Sequence, residues 1–327
     1  MVQASNVTRA AISAFTRVML AVDDSDATIR AAEYARALFG DRAKIRIVTV
    51  AQNPRTLFRL GATTQGYLAA AREEIVGDAR AVLGKIEAMF PGTEVESGLV
   101  DLSVHNGNTV DALLDAASHW RPDLIVMGAR HHHGLLRWIE GTVSEPAARR
   151  ADCSLLVVPE TSRVPTNTPP ERIAFAVDGS ACSLFALRTG LQISTPETRL
   201  RAIYVVDRAV HLTDSAPNDQ LERAFLDEGC TTLEHAARIC ADQGRYAETA
   251  MIETHETRDD VPHTIMRDFA RWHGDLLVLG THGRRGLARW FLGSVAARTV
   301  RLADTPVLLV RHREHLHQSG HNGTHAE

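Results

Sequence analysis

Short runs of consecutive apolar residues recur along the chain and alternate with longer segments of mixed polarity. The first run covers residues 18–22, and similar runs cover residues 124–127, 155–158 and 276–279. A short, continuous apolar run is typical of a strand buried on both faces, whereas the longer segments repeat apolar residues at helical spacing. This alternation predicts an α/β protein with parallel sheets and helices on both faces.

The elements divide into two similar series, each predicted to form a doubly wound domain with a five-stranded parallel sheet. The helix after the first strand is expected to start at Ser25 or Asp26 and to run to about Phe39, and residues 52–66 are expected to form a loop. The predicted strands of the first series are 18–22, 44–50, 94–100, 124–127 and 155–158, and its later helices are 67–90, 108–119 and 143–151. The predicted strands of the second series are 172–177, 200–206, 248–254, 276–279 and 306–310, and its helices are 180–193, 220–243, 263–272 and one that starts at Ser294.

The two series are copies of one unit. Gly128 and Gly141 correspond to Gly280 and Gly293 at the same offset of 152 residues (280 − 128 and 293 − 141). A long repeat with collinear markers indicates two domains in tandem. The proline-rich segment between them is expected to be a linker that packs no core. The predicted organisation is a leader at 1–16, a first domain at 17–159, the linker at 160–171, a second domain at 172–311 and a histidine-rich tail at 312–327.

A glycine-rich loop between a strand and a helix stands out in the second series. The segment 280–283 (Gly-Thr-His-Gly) follows a strand, and Gly293 with Ser294 opens a helix after nine more residues. Glycine lets an anion approach the backbone, and the free N–H groups of a helix N-terminus donate to phosphate oxygens. Ser294 adds a hydroxyl for a phosphate or a metal ion. Asp178 also follows a strand, and a ligand crevice is predicted where these carboxyl ends meet.

Composition and charge exclude several classes of protein. The chain of 327 residues has a formal net charge of −4, so no broad nucleic-acid footprint is predicted. No apolar run approaches the ~20 residues that span a bilayer, and residues 1–17 lack the apolar core of a signal peptide. The four cysteines form no CxxC pair, which is typical of reduced thiols. A soluble, cytoplasmic protein without membrane or nucleic-acid partners is expected.

With these residues assembled, the chain resembles tandem universal stress proteins. The nucleotide signature of that family is G-x2-G-x9-G-[S/T], and Gly280, Gly283, Gly293 and Ser294 match it completely. The segment 178–180 (Asp-Gly-Ser) and the apolar last strand match as well. The resemblance covers nearly the whole chain apart from leader, linker and tail. It implies a role in the stress response, with ATP as ligand and Mg2+ alongside.

The resemblance also implies which residues would contact the nucleotide. Asp178 would reach the nucleoside and Val205 the base. The ribose and the first phosphates would be lined by Leu279, Gly280 and His282, and the phosphates would be held by Gly283, Gly293, Ser294 and Val295. The corresponding positions of the first half, which would form a weaker site, are Asp23, Val50, Met127, Gly128, Arg130, His131, Gly141, Thr142 and Val143.

One position departs from the signature. His131 stands where the family has its second glycine, and its Cβ and imidazole would crowd the phosphates. We therefore expect one good ATP site in the second half and a weak or empty site in the first.

Several of these motifs also admit a structural interpretation. The glycines could form tight turns without a ligand, and Asp23 and Asp178 could cap the first helices. Segment 142–145 (Thr-Val-Ser-Glu) matches a capping box. The arginines of the second loop are either phosphate ligands or solvated surface; they are Arg284, Arg285 and Arg289. No metal site is predicted from the histidines at 131–133 or in the tail, and packing is the expected role of Trp138 and Trp290.

No catalytic arrangement is evident in the sequence. It contains no HExxH motif, no G-x-S-x-G elbow and no spacing that suggests a catalytic triad. The loop at 178–181 also lacks the Ser-Gly-Gly-x-Asp-Ser sequence of ATP-pyrophosphatase-type synthetases. Catalytic residues are therefore not predicted, although slow ATP hydrolysis stays open.

Three functional hypotheses follow. The first is an ATP-binding regulator in which the nucleotide shifts domain packing and the choice of an unknown protein partner. The second is a nucleotide-free interaction scaffold, and the third is a weak ATPase or nucleotide-transferring enzyme. In the resembling family the last strands pair between domains, which would place Val157 and Leu309 at a pseudo-twofold contact. A homodimer of whole chains also stays open.

Overall fold

The computed structural model describes residues 15–40, 42–57, 65–105, 107–130, 143–208, 218–254, 259–283 and 292–312. The strands of the first half are β1 (Arg17–Val22), β2 (Lys44–Ala51), β3 (Val95–Asp101), β4 (Leu124–Ala129) and β5 (Ser154–Pro159). The helices described there are α1 (Asp26–Phe39), α2 (Pro54–Leu57), α3 (Gln65–Glu87), α4 (Thr109–Trp120) and α5 (Ser144–Arg150).

The second half repeats this order. Its strands are β6 (Arg172–Ala176), β7 (Arg199–Val206), β8 (Ala247–Glu253), β9 (Leu276–Gly280) and β10 (Val307–Val310). The helices described in this half are α6 (Ala181–Gln192), α7 (Asn218–Ala241), α8 (Val261–Arg271) and α9 (Ser294–Leu302). The predicted alternation of strands and helices is confirmed in both halves.

The strands form one ten-stranded sheet in the order β3-β2-β1-β4-β5-β10-β9-β6-β7-β8. Neighbours within each half are parallel, whereas β5 and β10 pair antiparallel and join the halves. Two tandem five-stranded parallel units are therefore confirmed, and their sheets are continuous.

The junction is built from the last strand of each unit. Leu156 lies opposite Leu308 at its centre, with Val157 opposite Val307 and Leu155 opposite Leu309. Val157 and its repeat counterpart Leu309 lie on opposite sides of this central pair, at equal distance along the strands. This arrangement is the one that a pseudo-twofold axis through the central pair produces. All of these side chains are buried, so the junction is also part of the hydrophobic core.

Each face of the sheet carries one apolar core that includes residues of both halves. Side chains of α1, α3, α6 and α7 belong to one core, among them Tyr34, Ile86, Leu187 and Ala236. Side chains of α4, α5, α8 and α9 belong to the other, among them Leu113, Ala147, Phe269 and Val300. The central strands are buried on both faces, which explains their uninterrupted apolar sequence.

Local sequence sets the ends of α1 as predicted. The Ser25 hydroxyl caps the helix by accepting from the Thr28 N–H at 3.3 Å, and the Gly40 N–H closes it by donating to the Arg36 carbonyl at 3.0 Å. Within the predicted loop 52–66, the structure instead forms the short α2 and the first two residues of α3. Asn53 starts α2, since its side-chain Oδ1 accepts from the Arg55 N–H at 2.9 Å.

The proline-rich linker is packed more closely than its composition predicts. Ser162, Val164 and Thr166 are buried and alternate with exposed residues. Arg30 of α1 donates to the carbonyl groups of Ser162 and Val164, and the Thr166 hydroxyl donates to the Glu33 carboxylate. The expectation that this segment packs no core is therefore wrong, because α1 supplies partners for its backbone.

Candidate functional site

The carboxyl ends of β1, β2 and β4 border an open cavity of about 790 Å³ in the first half. Its volume is within the range of small-molecule sites in proteins. The residues predicted for the weaker site that line it are Asp23, Val50, Met127, Gly128, Arg130 and Val143. Ile75, Val82 and Leu113 add apolar walls from α3 and α4. The structure thus brings these predicted residues into one crevice.

Hydrogen bonds hold Asp23 at this edge of the sheet. Its Oδ1 accepts from the Ser25 N–H at 3.1 Å and the Thr28 hydroxyl at 2.7 Å, and the Arg130 guanidinium donates to its Oδ2. Burial alone would raise the pKa of Asp23, but the hydrogen bonds from Ser25, Thr28 and Arg130 outweigh it and hold the pKa below its ordinary value. The same hydrogen bond raises the pKa of Arg130. The two charges therefore compensate each other inside the crevice.

Asp178 occupies the matching position in the second half but faces a different neighbour. Its Oδ1 accepts from the Ser180 N–H at 3.0 Å and from the Ser180 hydroxyl at 2.6 Å. Its Oδ2 faces Gly283, since a Cβ built on that glycine would lie 2.5 Å from this oxygen. Gly283 thus lets the loop approach the carboxylate closely. Ser25 and Ser180 cap the first helices, so the alternative that the aspartates are the caps is wrong.

The first glycine of each loop packs against the start of the neighbouring helix. A Cβ on Gly128 would lie 2.5 Å from the Ala27 carbonyl carbon, and a Cβ on Gly280 would lie 2.9 Å from the Cys182 sulfur. Ala27 and Cys182 are the second residues of α1 and α6. Glycine is required here by contacts within the chain, whether or not a phosphate binds.

The helices that follow the two loops differ at their N-termini from four other described helices. Side chains of Ser25, Asn108, Ser180 and Asp260 cap α1, α4, α6 and α8. In contrast, α5 and α9 begin without a side-chain cap, behind Val143 and Gly293. Free N–H groups of a first helical turn are the donors that bind anions. These two helix starts lie where the sequence predicts phosphates.

The other predicted residues of the second half lie at the same edge. Val205 is half-buried near the end of β7, beside β6, and Leu279 is buried in β9. The His282 Nδ1 lies 3.0 Å from the Thr281 hydroxyl oxygen. The Gly293 N–H donates to the Thr281 carbonyl at 2.8 Å, which ties the start of α9 to the loop, and Ser294 and Val295 are exposed there.

The capping box predicted at 142–145 stays a prediction, because its expected cap residue, Thr142, lies outside the described residues. The helix starts at Ser144 behind Val143, and the Glu145 carboxylate accepts from Arg149 and Arg301.

Several predicted residues cannot be placed. Outside the described residues lie Gly141, Thr142, the histidines at 131–133, Trp138, Arg284, Arg285, Arg289 and Trp290, together with residues 1–14 and 313–327. The crowding by His131 and the roles of the loop arginines therefore stay predictions.

The cavity also contains residues that the sequence analysis missed. Thr49, Asn108 and Arg150 line it. Thr49 precedes the predicted contact Val50 at a strand end, so a search of all strand ends could have found it. Arg150 carried no such signal, because its place depends on how α5 packs against α4, where it pairs with Asp111 at 2.6 Å.

Among the described residues, no group of three or more His, Cys, Asp or Glu side chains is arranged to hold a metal ion. The described helices include none that is long and apolar enough to cross a membrane. The four cysteines, all within the described part, are free thiols.

Comparisons with known proteins agree with the repeat. The model of the universal stress protein family matches residues 14–159 and 170–311. The universal stress protein MJ0531 of Methanocaldococcus jannaschii is 32% identical over 145 residues, which are 43% of this chain and 82% of that protein. Rv1996 of Mycobacterium tuberculosis, also a universal stress protein, is 27% identical over 252 residues, which are 75% of this chain and 74% of that one.

A solved structure is similar over nearly the full length. It is a universal stress protein from Archaeoglobus fulgidus, with a TM-score of 0.61 over 92% of this chain and 97% of that chain. The sequence identity is 15%, so this likeness concerns the fold.

Proposed function

This chain belongs to the universal stress protein family, and from that premise we propose that it is an ATP-binding regulatory protein. The nucleotide binds mainly in the second half, in the crevice between Asp178 and the start of α9. Binding shifts the packing of the two halves and thereby the choice of a protein partner.

The observation that carries this proposal is the start of α9. Its first turn has no side-chain cap, and it follows a loop in which all three signature glycines are present. Asp178 lies at the same edge, with one carboxylate oxygen facing Gly283. A carboxylate that can accept from ribose hydroxyls and a row of N–H donors for phosphates fit the two ends of a nucleotide.

Mg2+ fits this site as a companion of the phosphates. The described residues contain no cluster that would hold a metal alone. Mg2+ usually keeps several waters and binds through substrate phosphates with one or two protein oxygens. The exposed hydroxyl of Ser294, at the start of α9, is the protein oxygen that would assist there. When bound, the metal would neutralise phosphate charge.

The first half is proposed as the weaker site even though the cavity of about 790 Å³ lies there. Arg130 already binds the Asp23 carboxylate, so a ligand hydroxyl would have to displace a charged partner. The binding free energy gained from a neutral ligand hydroxyl is then reduced, because the charge-assisted hydrogen bond between Arg130 and Asp23 is lost when the ligand binds. His131 is expected to add crowding at the phosphates.

A nucleotide-free scaffold is the second candidate. Gly128 and Gly280 are needed for contact with Ala27 and Cys182, which gives both glycines a purely structural reason. On this hypothesis the crevices would remain without nucleotide, and the ten-stranded sheet would present its surfaces to partners.

Two measurements on the purified protein decide between these candidates. The first is the nucleotide released on denaturation, counted per chain, and the second is calorimetric titration with Mg-ATP. We expect about one ATP or ADP per chain and a dissociation constant in the micromolar range, at about −8 kcal/mol. No released nucleotide and no heat up to millimolar Mg-ATP would leave the scaffold as the better account.

Paired variants test which half binds. Gly283→Ala pushes a methyl group against the Asp178 carboxylate, so we expect at least about tenfold weaker binding, or ~1.4 kcal/mol. His131→Gly restores the signature in the first half and should raise the stoichiometry towards two. Equal affinities for ATP in both halves of the wild-type protein would contradict the expectation that His131 weakens the first site.

A separate experiment tests for hydrolysis. Phosphate release that vanishes in Ser294→Ala while ATP still binds would favour a weak ATPase.

A further inference from the structure

A second cavity lies at the opposite edge of the sheet, far from the proposed nucleotide site. Its volume is about 740 Å³, and it is bordered by the segments that lead into β1, β2 and β3. The residues of its wall that matter here are Arg17, Gly40, Arg42, Lys44, Gly92 and Thr93. Neither the signature nor the proposed function involves this edge.

The wall of this cavity is basic. Arg17 borders the cavity, and its guanidinium donates to the Trp120 carbonyl and stacks over the Trp120 ring at 4.3 Å, so Arg42 and Lys44 are the cations without such a contact. Arg42 and Lys44 are exposed, and no carboxylate of the described residues lies within ion-pair distance of either. Glu94 also lines the cavity, so its described wall carries three cations and one carboxylate. Asp41 lies outside the described residues.

The second half provides an internal reference for this cavity. Val95 pairs with Ile45 at the start of β3, and Ala247 pairs with Leu200 at the start of β8. Gly92 and Gly244 precede these strands and have φ values of +82° and +69°. The next residue is Thr93 in the first half and Arg245 in the second. The two loops therefore have the same backbone form but side chains of very different length.

Arg245 occupies this place in the second half. Its guanidinium donates to the Ser194 hydroxyl at 2.8 Å and to the Thr198 carbonyl at 2.8 Å. The Thr93 hydroxyl instead donates to the Gly40 carbonyl at 3.4 Å. The first half therefore has a short side chain beside its cavity where the second half has an arginine.

One charged position also differs in sign between the two halves. The residue two positions before β7 is Glu197, which is next to Thr198, an acceptor of Arg245. The corresponding residue two positions before β2 is Arg42. In the second half, the acidic residue Glu197 is therefore found together with the cationic side chain of Arg245. By complementarity, the basic wall of the first half calls for an anionic occupant.

We propose that this cavity, which we call the basal site (Arg17, Arg42 and Lys44 beside Gly92 and Thr93), binds a phosphorylated small molecule. Arginine and lysine supply charge-assisted donors suited to phosphate oxygens. The volume of the basal site has room for more than a single phosphate group. Occupancy of this site is independent of the nucleotide crevice, because the two lie at opposite ends of the strands.

Calorimetric titration with inorganic pyrophosphate tests the basal site, with the full chain and four variants. Thr93→Arg copies the second half and should fill the site, and the double variant Arg42→Gln/Lys44→Gln removes its free cations. Arg199→Gln is the matched control, because Arg199 is the counterpart of Lys44 where the place is already filled. Gly283→Ala weakens the nucleotide crevice of the second half and leaves the basal site unchanged.

We expect Gly283→Ala and Arg199→Gln to retain pyrophosphate binding, and Thr93→Arg and the double variant to lose it by at least about tenfold. The proposal is overturned if Thr93→Arg and the double variant titrate like the wild type. It is also overturned if Gly283→Ala shows no pyrophosphate binding up to about 10 mM, a free energy near −3 kcal/mol. If Thr93→Arg does not fold, the comparison of the double variant with Arg199→Gln decides.

Discussion

Glu145 of the first half and Arg301 of the second half are joined across the molecule, with a Glu145 Oε1 to Arg301 Nη2 distance of 3.2 Å. The same carboxylate oxygen accepts from Arg149 at 2.8 Å. Arg149 and Arg301 are repeat counterparts (301 − 149 = 152). Glu145 lies in the first turn of α5, next to a proposed phosphate position, and Arg301 lies in the last turn of α9. This link joins the start of α5 in the first half to the end of α9 in the second half.

Removal of this carboxylate should weaken the contact between the halves. The Glu145 side chain is 17% exposed and each arginine 42%, so the pairs are partly screened. We expect Glu145→Gln to lower the free energy of unfolding by about 1 kcal/mol. Urea unfolding of Glu145→Gln, Arg301→Gln and the double variant measures it. Additive effects of the two single changes would show that the pair contributes nothing.

The low pKa of Asp23 predicts a specific dependence of stability on pH. A carboxyl group whose pKa is lowered on folding stabilises the protein above its unfolded pKa, and that stabilisation is lost as the pH falls through the folded pKa. Asp23→Asn should therefore be less stable than the wild type at pH 7, and the difference should shrink below about pH 4. Urea midpoints measured from pH 7 down to acid conditions test this, and a difference that is constant with pH would refute it.

Replacement of glycine by alanine should lower the free energy of unfolding by different amounts at Gly128 and Gly283. At Gly128 the new methyl group meets the backbone of Ala27, whereas at Gly283 it meets the end of the Asp178 side chain. A backbone cannot yield as a carboxylate can, so we expect a loss of about 3 kcal/mol for Gly128→Ala and less than about 1 kcal/mol for Gly283→Ala. Thermal and urea unfolding measure both. The reverse order would mean that the loop, not the helix start, is the rigid partner.

The docked linker should depend on Arg30. Arg30 donates to the carbonyl groups of Ser162 and Val164, and Arg163 between them is exposed. We expect Arg30→Gln to release this segment and to increase the rate of trypsin cleavage after Arg163, since proteolysis needs local opening. Arg36→Gln on the same helix is the control. Equal cleavage rates in wild type and Arg30→Gln would show that other contacts hold the linker.

The order of strands and helices could be predicted from the sequence, because it depends on the local pattern of apolar and polar residues. Buried parallel strands need apolar side chains on both faces, so runs such as 18–22 and 276–279 identified them directly. Helix starts were predicted where a capping side chain is encoded, as at Ser25. The short helix α2 was missed because its four residues, Pro54–Leu57, are too few to show a helical repeat of apolar positions.

The candidate site was predictable to the extent that it consists of strand ends and glycines. Asp23, Met127 and Gly128 were found from their places after strands, and the structure brings them to one cavity. Arg150 entered that cavity only through the packing of α5 on α4, which no local pattern reports. The partner of Asp23 likewise depends on the direction that the Arg130 side chain takes in the folded protein.

By itself, the sequence determined the two repeated units, their strands and helices, and the glycine loops at the strand ends. These features depend on side-chain period and backbone freedom, which act over a few residues. The pairing of β5 with β10 was expected only from the family resemblance. Tertiary structure alone decided that Arg245 bonds the segment before β7 and that α1 holds the linker. Each of these depends on contacts between residues far apart in the chain, whose energies arise only when the packed elements bring them together.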